Sequence, residues 1–463
     1  MSARNREFDA ARGRGSLTLR KILANQAAAV IAAAALLSGV AVQPVVAAAP
    51  FHTNVIDVHS LTTPPTTSDC LTLFGIHCYS PAQFEKAYDM APLHTHGIDG
   101  RGETIAIVDS FGSPTIANDL HVFDQTFGLP DPPSLKVIAP VGPIPAFDPN
   151  NSDMVGWAEE TTLDVEWSHV FAPGAKILVV ETPVSETEGV TGFPEIVQAE
   201  NYVINHNMAD VISQSFGATE NTFPSKASLL SLRSAFFNAF AHHVTVLGAS
   251  GDAGATDYQL NLSDLYTFRV NSWPSSDPLV TSVGGTQLTL DDAGNRLAPD
   301  VVWNDGFGAG GGGLSSVFTR PDFQNGVRPI VDGRRGTPDI SLSAAVDGAV
   351  VFYFSFVPGR VGYHLVGGTS EATPEFAGVV AMSDQMAHHR LGLLNGRLYD
   401  LRGRFSGIVD VTSGNNSLTF TNSDNITYTV VGFNAGHGYD LASGIGTIDA
   451  ARFVPALAGF GGN

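Results

Sequence analysis

Three stretches of this chain carry residues whose types and spacing could do chemistry together. The first is Gly367-Gly-Thr-Ser370-Glu-Ala-Thr-Pro374-Glu-Phe-Ala-Gly378. Its paired glycines permit a tight turn, and Pro374 comes early enough in the following helix not to break it. A hydroxyl at Ser370 then sees the positive end of a helix dipole, which favours negative charge developing beside it, as a nucleophile requires. A plain helix cap would use the same residue types. The second stretch is Glu159-Glu160-Thr-Thr-Leu-Asp164-Val-Glu-Trp167, where Glu160 and Asp164, at i and i+4, share one helix face. Two close carboxyls resist ionising together and hold a proton between them, whereas on an exposed helix they are only a mildly repulsive, solvated pair. The third is Val244-Thr-Val-Leu-Gly-Ala-Ser250-Gly-Asp252-Ala-Gly254, a buried-strand run ending in a glycine turn, where an aspartate can simply bond its own backbone.

A serine nucleophile needs a base, and one known arrangement supplies Asp, His and Ser in chain order. Asp109, in Ile105-Ala-Ile-Val-Asp109-Ser-Phe-Gly, stands like such an aspartate at a strand end. The histidine is missing: His94 and His96 precede Asp109, and His169, His242 and His243 lie in no motif of that kind and read as helix residues. The pattern around Ser370 is shared by subtilases and sedolisins; all three stretches, in this order, resemble the sedolisins, the serine-carboxyl peptidases. Further landmarks are Trp273-Pro-Ser-Ser-Asp-Pro, Val283-Gly-Gly-Thr286, Trp303 with the glycines after it, Arg320-Pro-Asp-Phe-Gln324 and Arg335-Gly-Thr-Pro-Asp339. The resemblance covers residues 79–455.

The resemblance implies that Ser370 is the nucleophile, that Glu160 takes its proton, that Asp164 orients Glu160, and that Asp252, protonated, donates a hydrogen bond to the oxyanion. It implies hydrolysis of proteins or oligopeptides at acid pH through an acyl-enzyme, and one structural calcium ion (Ca2+) held by Asp410, Asp440 and the carbonyls of Val411, Gly436 and Gly438. Two residues depart from the family pattern: Asp109 stands where a glutamate is usual, and Phe216 where a tryptophan is common. The competing readings are a subtilase-type peptidase using Asp109 and a non-catalytic secreted binding module on the same fold.

The elements that must position these residues follow from hydrophobic patterning. Short β-branched runs predict strands at 104–109, 177–181, 211–215, 244–249, 280–284 and 350–354. Longer amphipathic runs predict helices at 160–170, 194–207, 225–243 and 371–389. Their alternation points to an α/β fold, and the resemblance to a subtilisin-like, doubly wound, mostly parallel sheet with helices on both faces. Catalytic groups then gather beyond the carboxyl ends of the strands. The glycines at 306–313 lack the Lys-Ser/Thr of a phosphate cradle and instead suit a backbone edge lying close to a peptide ligand.

Residues 1–49 read as a secretory signal: six basic residues, an apolar run at 27–42, then Ala47-Ala-Ala49. The run is shorter than the roughly 20 residues a spanning helix needs, so no stable membrane association is expected after its removal. Residues 50–78 read as a short Thr/Pro-rich linker carrying Cys70 and Cys78, too poor in apolar residues to pack, and 79–463 as the peptidase domain. The linker is too short for the large folding propeptide typical of sedolisins. In an exported chain the two cysteines form a local disulfide. The whole chain carries 24 basic and 45 acidic residues; without the signal's six basic and two acidic residues the net charge is −25. Such a surface repels nucleic acid and anionic lipid and loses much of its self-repulsion in acid. The expected protein is secreted, monomeric and directed at protein or peptide substrates.

Overall fold

The computed structural model describes residues 54–460 except residue 404, so the signal assigned to 1–49 lies outside the described residues. Among the described residues no helix is long and apolar enough to cross a membrane. The Thr/Pro-rich stretch is not a free linker. Strand β1 (Asn54–Leu61) pairs antiparallel with 362–367, Asn54 facing Gly367. Helix α1 (Thr67–Leu73) opens on a capping box, the Thr66 hydroxyl accepting from the Asp69 amide at 3.1 Å and the Asp69 carboxylate from the Thr66 amide at 3.0 Å. Such a cap is worth about 1 kcal/mol. Cys70 of α1 is bonded to Cys78 in strand β2 (Cys78–Tyr79), as expected, with Cα atoms 5.9 Å apart. Main-chain pairing and caps hold this segment, and neither needs the apolar pattern whose absence suggested a linker.

Seven strands run parallel through the centre: β3 (Thr104–Ser110), β4 (Leu135–Ile138), β5 (Lys176–Thr182), β6 (Val211–Gln214), β7 (Thr245–Ala249), β8 (Thr281–Gln287) and, after the antiparallel β9 (Val301–Val302), β10 (Ile340–Ser343). Their order is β9-β8-β7-β6-β3-β5-β4, with β10 also on β8. The chain leaves β3 for β4 on one side and returns through β5 to β6 on the other, which makes β3 a topological switch point where sites form. Asp109 is the last residue but one of β3, Ser215 follows β6, and Ser250 to Asp252 follow β7. A second sheet joins β1 and β2 to β11 (Ala349–Phe354) and β12 (Gly362–Gly367). The predicted 350–354 strand therefore exists but belongs to this second, mixed sheet.

Two helices traverse the core. Helix α2 (Ser152–Phe171) is buried at every residue from Gly156 onward, and α3 (Thr369–Ala387) at every residue through Asp384. The sequence pattern starts α2 eight residues too late, because a helix buried all round shows no 3.6-residue stripe and its true start is Asn151, whose side chain accepts from the Asp153 amide at 3.0 Å. The two helices touch closely at Gly378, where a Cβ would lie 2.5 Å from Phe171 Cβ. Only glycine allows that approach. The predicted 225–243 helix is broken into Lys226–Leu230 and Ser234–His242. Ser228 and Ser231 return their hydroxyls to the carbonyls of Ser225 and Ser228 at 2.6 and 2.7 Å, which competes with helix continuation.

Candidate active site

Strand β12 ends at Gly367, and Gly368 turns the chain into α3 with φ +150. A Cβ on Gly368 would lie 2.7 Å from Asp252 Oδ2, so the glycine clears the space in which that carboxyl stands. The helix cap is Gly368 itself, and Ser370 is the second helical residue, not the cap its sequence also allowed. Thr369 holds Asp252 from beneath: its amide and its hydroxyl both donate to Asp252 Oδ1, at 2.8 and 2.9 Å. In turn the Gly251 amide donates to the Thr369 hydroxyl at 3.1 Å. Burial pushes the Asp252 pKa up to about 6, against the lowering effect of the Thr369 bonds and with a smaller push from the Asp305 charge.

Glu160 and Asp164 are fully buried in α2. Ser215, at the end of β6, donates to Asp164 Oδ1 at 2.8 Å and lies 3.4 Å from the Ser370 carbonyl oxygen. One hydroxyl thus ties the acid pair to the residue proposed as nucleophile. Asp164 is held well above the usual carboxylate range by burial first, then by the charges of Asp109 and Glu160. Two carboxyls this close in a buried place resist ionising together. Asp109 belongs to the same acidic group: Thr161, next to Glu160, donates to its Oδ2 at 2.8 Å, and burial raises it to about 7. Phe216 packs between Trp157 and Phe193, in the hydrophobic core behind the site.

The histidines that a subtilase-type triad would need are engaged elsewhere. His169 is buried with Nε2 2.7 Å from the Pro130 carbonyl, His94 binds Glu85 and the Phe171 carbonyl, and His242 binds the Asn238 carbonyl. Of the four predicted catalytic residues, Asp252 is bonded to Thr369 beside Ser370, and Asp164 is bonded to Ser215, which approaches the Ser370 carbonyl; Glu160 lies one turn before Asp164 on α2. Neither connector stood out in the sequence, although Thr369 sits inside the Gly-Thr-Ser run. Also unread were Glu371 and Glu375, a second i, i+4 carboxyl pair directly after Ser370, whose burial holds both well above the usual range. The glycine-rich run lies against the Asp252 turn itself: Ala309 donates to the Asp252 carbonyl at 2.9 Å and Gly311 to that of Gly251 at 2.6 Å. Its glycines serve that approach, since a Cβ on Gly311 would fall 2.0 Å from the Ser250 carbonyl oxygen.

Towards the C-terminus, Asp410 and Asp440 meet at one short loop. The Gly438 amide donates to both Asp410 oxygens at 3.1 and 3.0 Å, and the Gly436 amide to Asp440 Oδ2 at 2.9 Å. Among the described residues no three His, Cys, Asp or Glu side chains gather as metal ligands. Any ion here would therefore rest on two carboxylates and main-chain carbonyls, an all-oxygen set that suits a hard cation such as calcium and not zinc.

A parallel sheet with α3 packed against it is a subtilisin-like fold, and residues 146–393 match the family described as "Subtilase family". Kumamolisin from Bacillus sp. (strain MN-32) is 31% identical over 388 residues, 82% of this chain and 63% of that protein. Sedolisin from Pseudomonas sp. (strain 101) is 30% identical over 398 residues, 83% of this chain and 62% of that protein. A solved Pseudomonas sedolisin, a serine-carboxyl proteinase complexed with two molecules of pseudo-iodotyrostatin, aligns with a TM-score of 0.68 at 29% identity, over 82% of this chain and 97% of that one. The chain belongs to the subtilase family, and within it is similar to the sedolisins. It spans less than two thirds of the length of the two relatives named by identity.

Proposed function

We propose that this protein is a secreted peptidase that hydrolyses peptide bonds of proteins or oligopeptides in acid, through an acyl-enzyme on Ser370. The observation that carries the reading is the buried carboxyl pair tied to Ser370 through Ser215, where a neutral-pH enzyme would keep an imidazole. Glu160, ionised, accepts the proton as Ser370 Oγ attacks the scissile carbonyl. Asp164, protonated, holds Glu160 in place. Asp252, protonated, donates to the oxyanion of the tetrahedral intermediate. Glu160 then returns the proton to the leaving amine, and water repeats the sequence in reverse roles to free the enzyme. The Thr369 amide and hydroxyl that fix Asp252 Oδ1 beside Ser370 support this role, and so does the absence of histidine from the group of residues around Ser370 described above.

The reading is tested by titrating the enzyme at pH 4 with a serine-directed acylating probe. One equivalent should be bound and mapped to Ser370. Labelling elsewhere, or none on enzyme that is folded, would leave a binding module as the better account.

Asp410, Asp440, Val411, Gly436 and Gly438 would hold one calcium ion that steadies the C-terminal loop and takes no part in bond cleavage. Chelation should lower Tm more than it lowers turnover of the still-folded enzyme, because a ligand bound only by the native state stabilises it by mass action. Asp410→Ala should reproduce the lower Tm and make it insensitive to chelator. An unchanged Tm after verified metal removal, with Asp410→Ala equally stable, would remove calcium from the account.

A further inference from the structure

The turn that carries Asp252 has little of its own to hold it. Gly251 and Gly254 both adopt positive φ, +108 and +66, so its shape depends on bonds from neighbouring segments. On one side the glycine-rich run supplies them: Gly254 donates to the Ala309 carbonyl at 2.8 Å, and the Ser250 hydroxyl to that of Gly311 at 2.8 Å. Thr369 holds the Asp252 carboxyl and the Gly251 amide, Val270 donates to the Ala255 carbonyl at 3.1 Å, and Asn416, distant in sequence and fully buried, braces the turn at Ala255. Its carbonyl accepts the Ala255 amide at 2.9 Å, and a Cβ on Gly254 would lie 2.5 Å from that same oxygen.

Asn416 is itself fixed on three sides. Its amide donates to the Phe433 carbonyl at 3.1 Å and its Oδ1 accepts from the Phe433 amide at 2.7 Å. Its Nδ2 donates to the Gly312 carbonyl at 3.2 Å, in the same glycine-rich run that braces the other side of the turn. Gly432 is cleared for it too, since a Cβ there would meet Oδ1 at 2.4 Å. This side chain must donate and accept at once while staying neutral in a dry place, and asparagine does so.

We infer that Asn416 is a positioning residue for the reaction: it locks the far side of the Asp252 turn to the glycine-rich run and thereby aims the Asp252 carboxyl at the oxyanion. The inference rests on the reading of Asp252 as oxyanion donor. Asn416 also lies on the segment between Asp410 and Gly436, so the C-terminal loop and the oxyanion turn share a mechanical link that passes through it.

The test compares kcat, KM and the pH dependence of kcat/KM for Asn416→Ala and Asn416→Asp, with folding followed by circular dichroism. For Asn416→Ala, kcat should fall about 10- to 100-fold with KM little changed, as small misplacements of a catalytic group do. Its alkaline limb should shift to lower pH, because a loosened turn admits water and returns Asp252 towards an ordinary carboxyl. Asn416→Asp should approach wild type in acid, where a protonated carboxyl can still donate to Gly312 and accept from Phe433, and lose ground as it ionises and repels the Gly312 carbonyl. If Asn416→Ala fails to fold, the pH-dependent rescue by Asn416→Asp decides. Folded variants with wild-type kcat and alkaline limb, or with only a raised KM, overturn the inference. If instead Asp252→Asn leaves the wild-type pH profile unaltered, it is the reading of Asp252 that fails.

Discussion

Ser370→Ala will leave the protein folded and remove essentially all peptide hydrolysis, a loss on the order of 10^4- to 10^6-fold in kcat. The large effect follows from the roles assigned around Ser370: Asp164, Glu160 and Asp252 all act through its hydroxyl, so none can compensate for it. The small structural effect follows from its place as second residue of α3, behind the Gly368 cap, with 3% of its surface exposed. Alanine is at least as good a helix former there, so Tm should move by no more than about 0.5 kcal/mol implies. Cleavage of a chromogenic peptide at pH 4, with Tm measured on the same samples, checks both halves. A folded alanine variant with undiminished turnover refutes the nucleophile assignment.

The second large effect is the collapse of activity above pH 6. Asp252 must keep its proton to donate to the oxyanion, and its pKa is raised to about 6, so the donor is intact below that value and lost above it. Two pH units beyond the pKa correspond to roughly a 100-fold fall in kcat/KM. On the acid side Glu160 must ionise, so the profile should form a bell with its useful range at roughly pH 3 to 6. Asp252→Asn replaces the donor by an amide that does not titrate, and its residual activity should lose the alkaline limb or have it displaced upward. An optimum above pH 7.5, untouched by this substitution, would refute the carboxyl mechanism.

Stability should fall over much of the same range for a separate reason. Asp109 and Asp257 are raised to about 7, Asp124, Glu200 and Asp384 to about 8, and Glu188 to about 9, in each case mainly by burial. A carboxyl whose folded pKa exceeds its unfolded value near 4 contributes stability that is complete below the unfolded value and lost as pH rises through the folded one. Tm should therefore decline from about pH 4 towards pH 9. Activity lost only through ionisation of Asp252 should return at once when the sample is brought back to acid, and activity assayed beside Tm on the same samples separates the two effects.

Much of this site was legible from residue types alone. Ser370 before Pro374, Glu160 four residues before Asp164, and Asp252 closing a strand are local patterns, and local geometry suffices to put each on a helix start, a helix face or a turn. The parallel strands at β3, β5, β6, β7 and β8 were legible for the same reason, their apolar runs being dictated by burial on both faces. Segments whose stability is not apolar escaped: β1 is held by main-chain pairing, and the first turn of α2, with Ser152 exposed and Asp153 half-buried, is set by the Asn151 cap. Protonation was decided only in three dimensions. Glu160 and Asp164 on an exposed helix would be two ordinary carboxylates; on α2, which packs against α3 at Gly378, burial pushes Asp164 well above the usual carboxylate range. The choice of connectors was equally tertiary, since Ser215, Thr369 and Asn416 come from segments far apart in the chain and meet only because the sheet's carboxyl ends, the nucleophile helix and the C-terminal loop close around one turn. Sequence determines which groups are available for acid chemistry; burial, which sets the cost of charge, determines which of them hold protons.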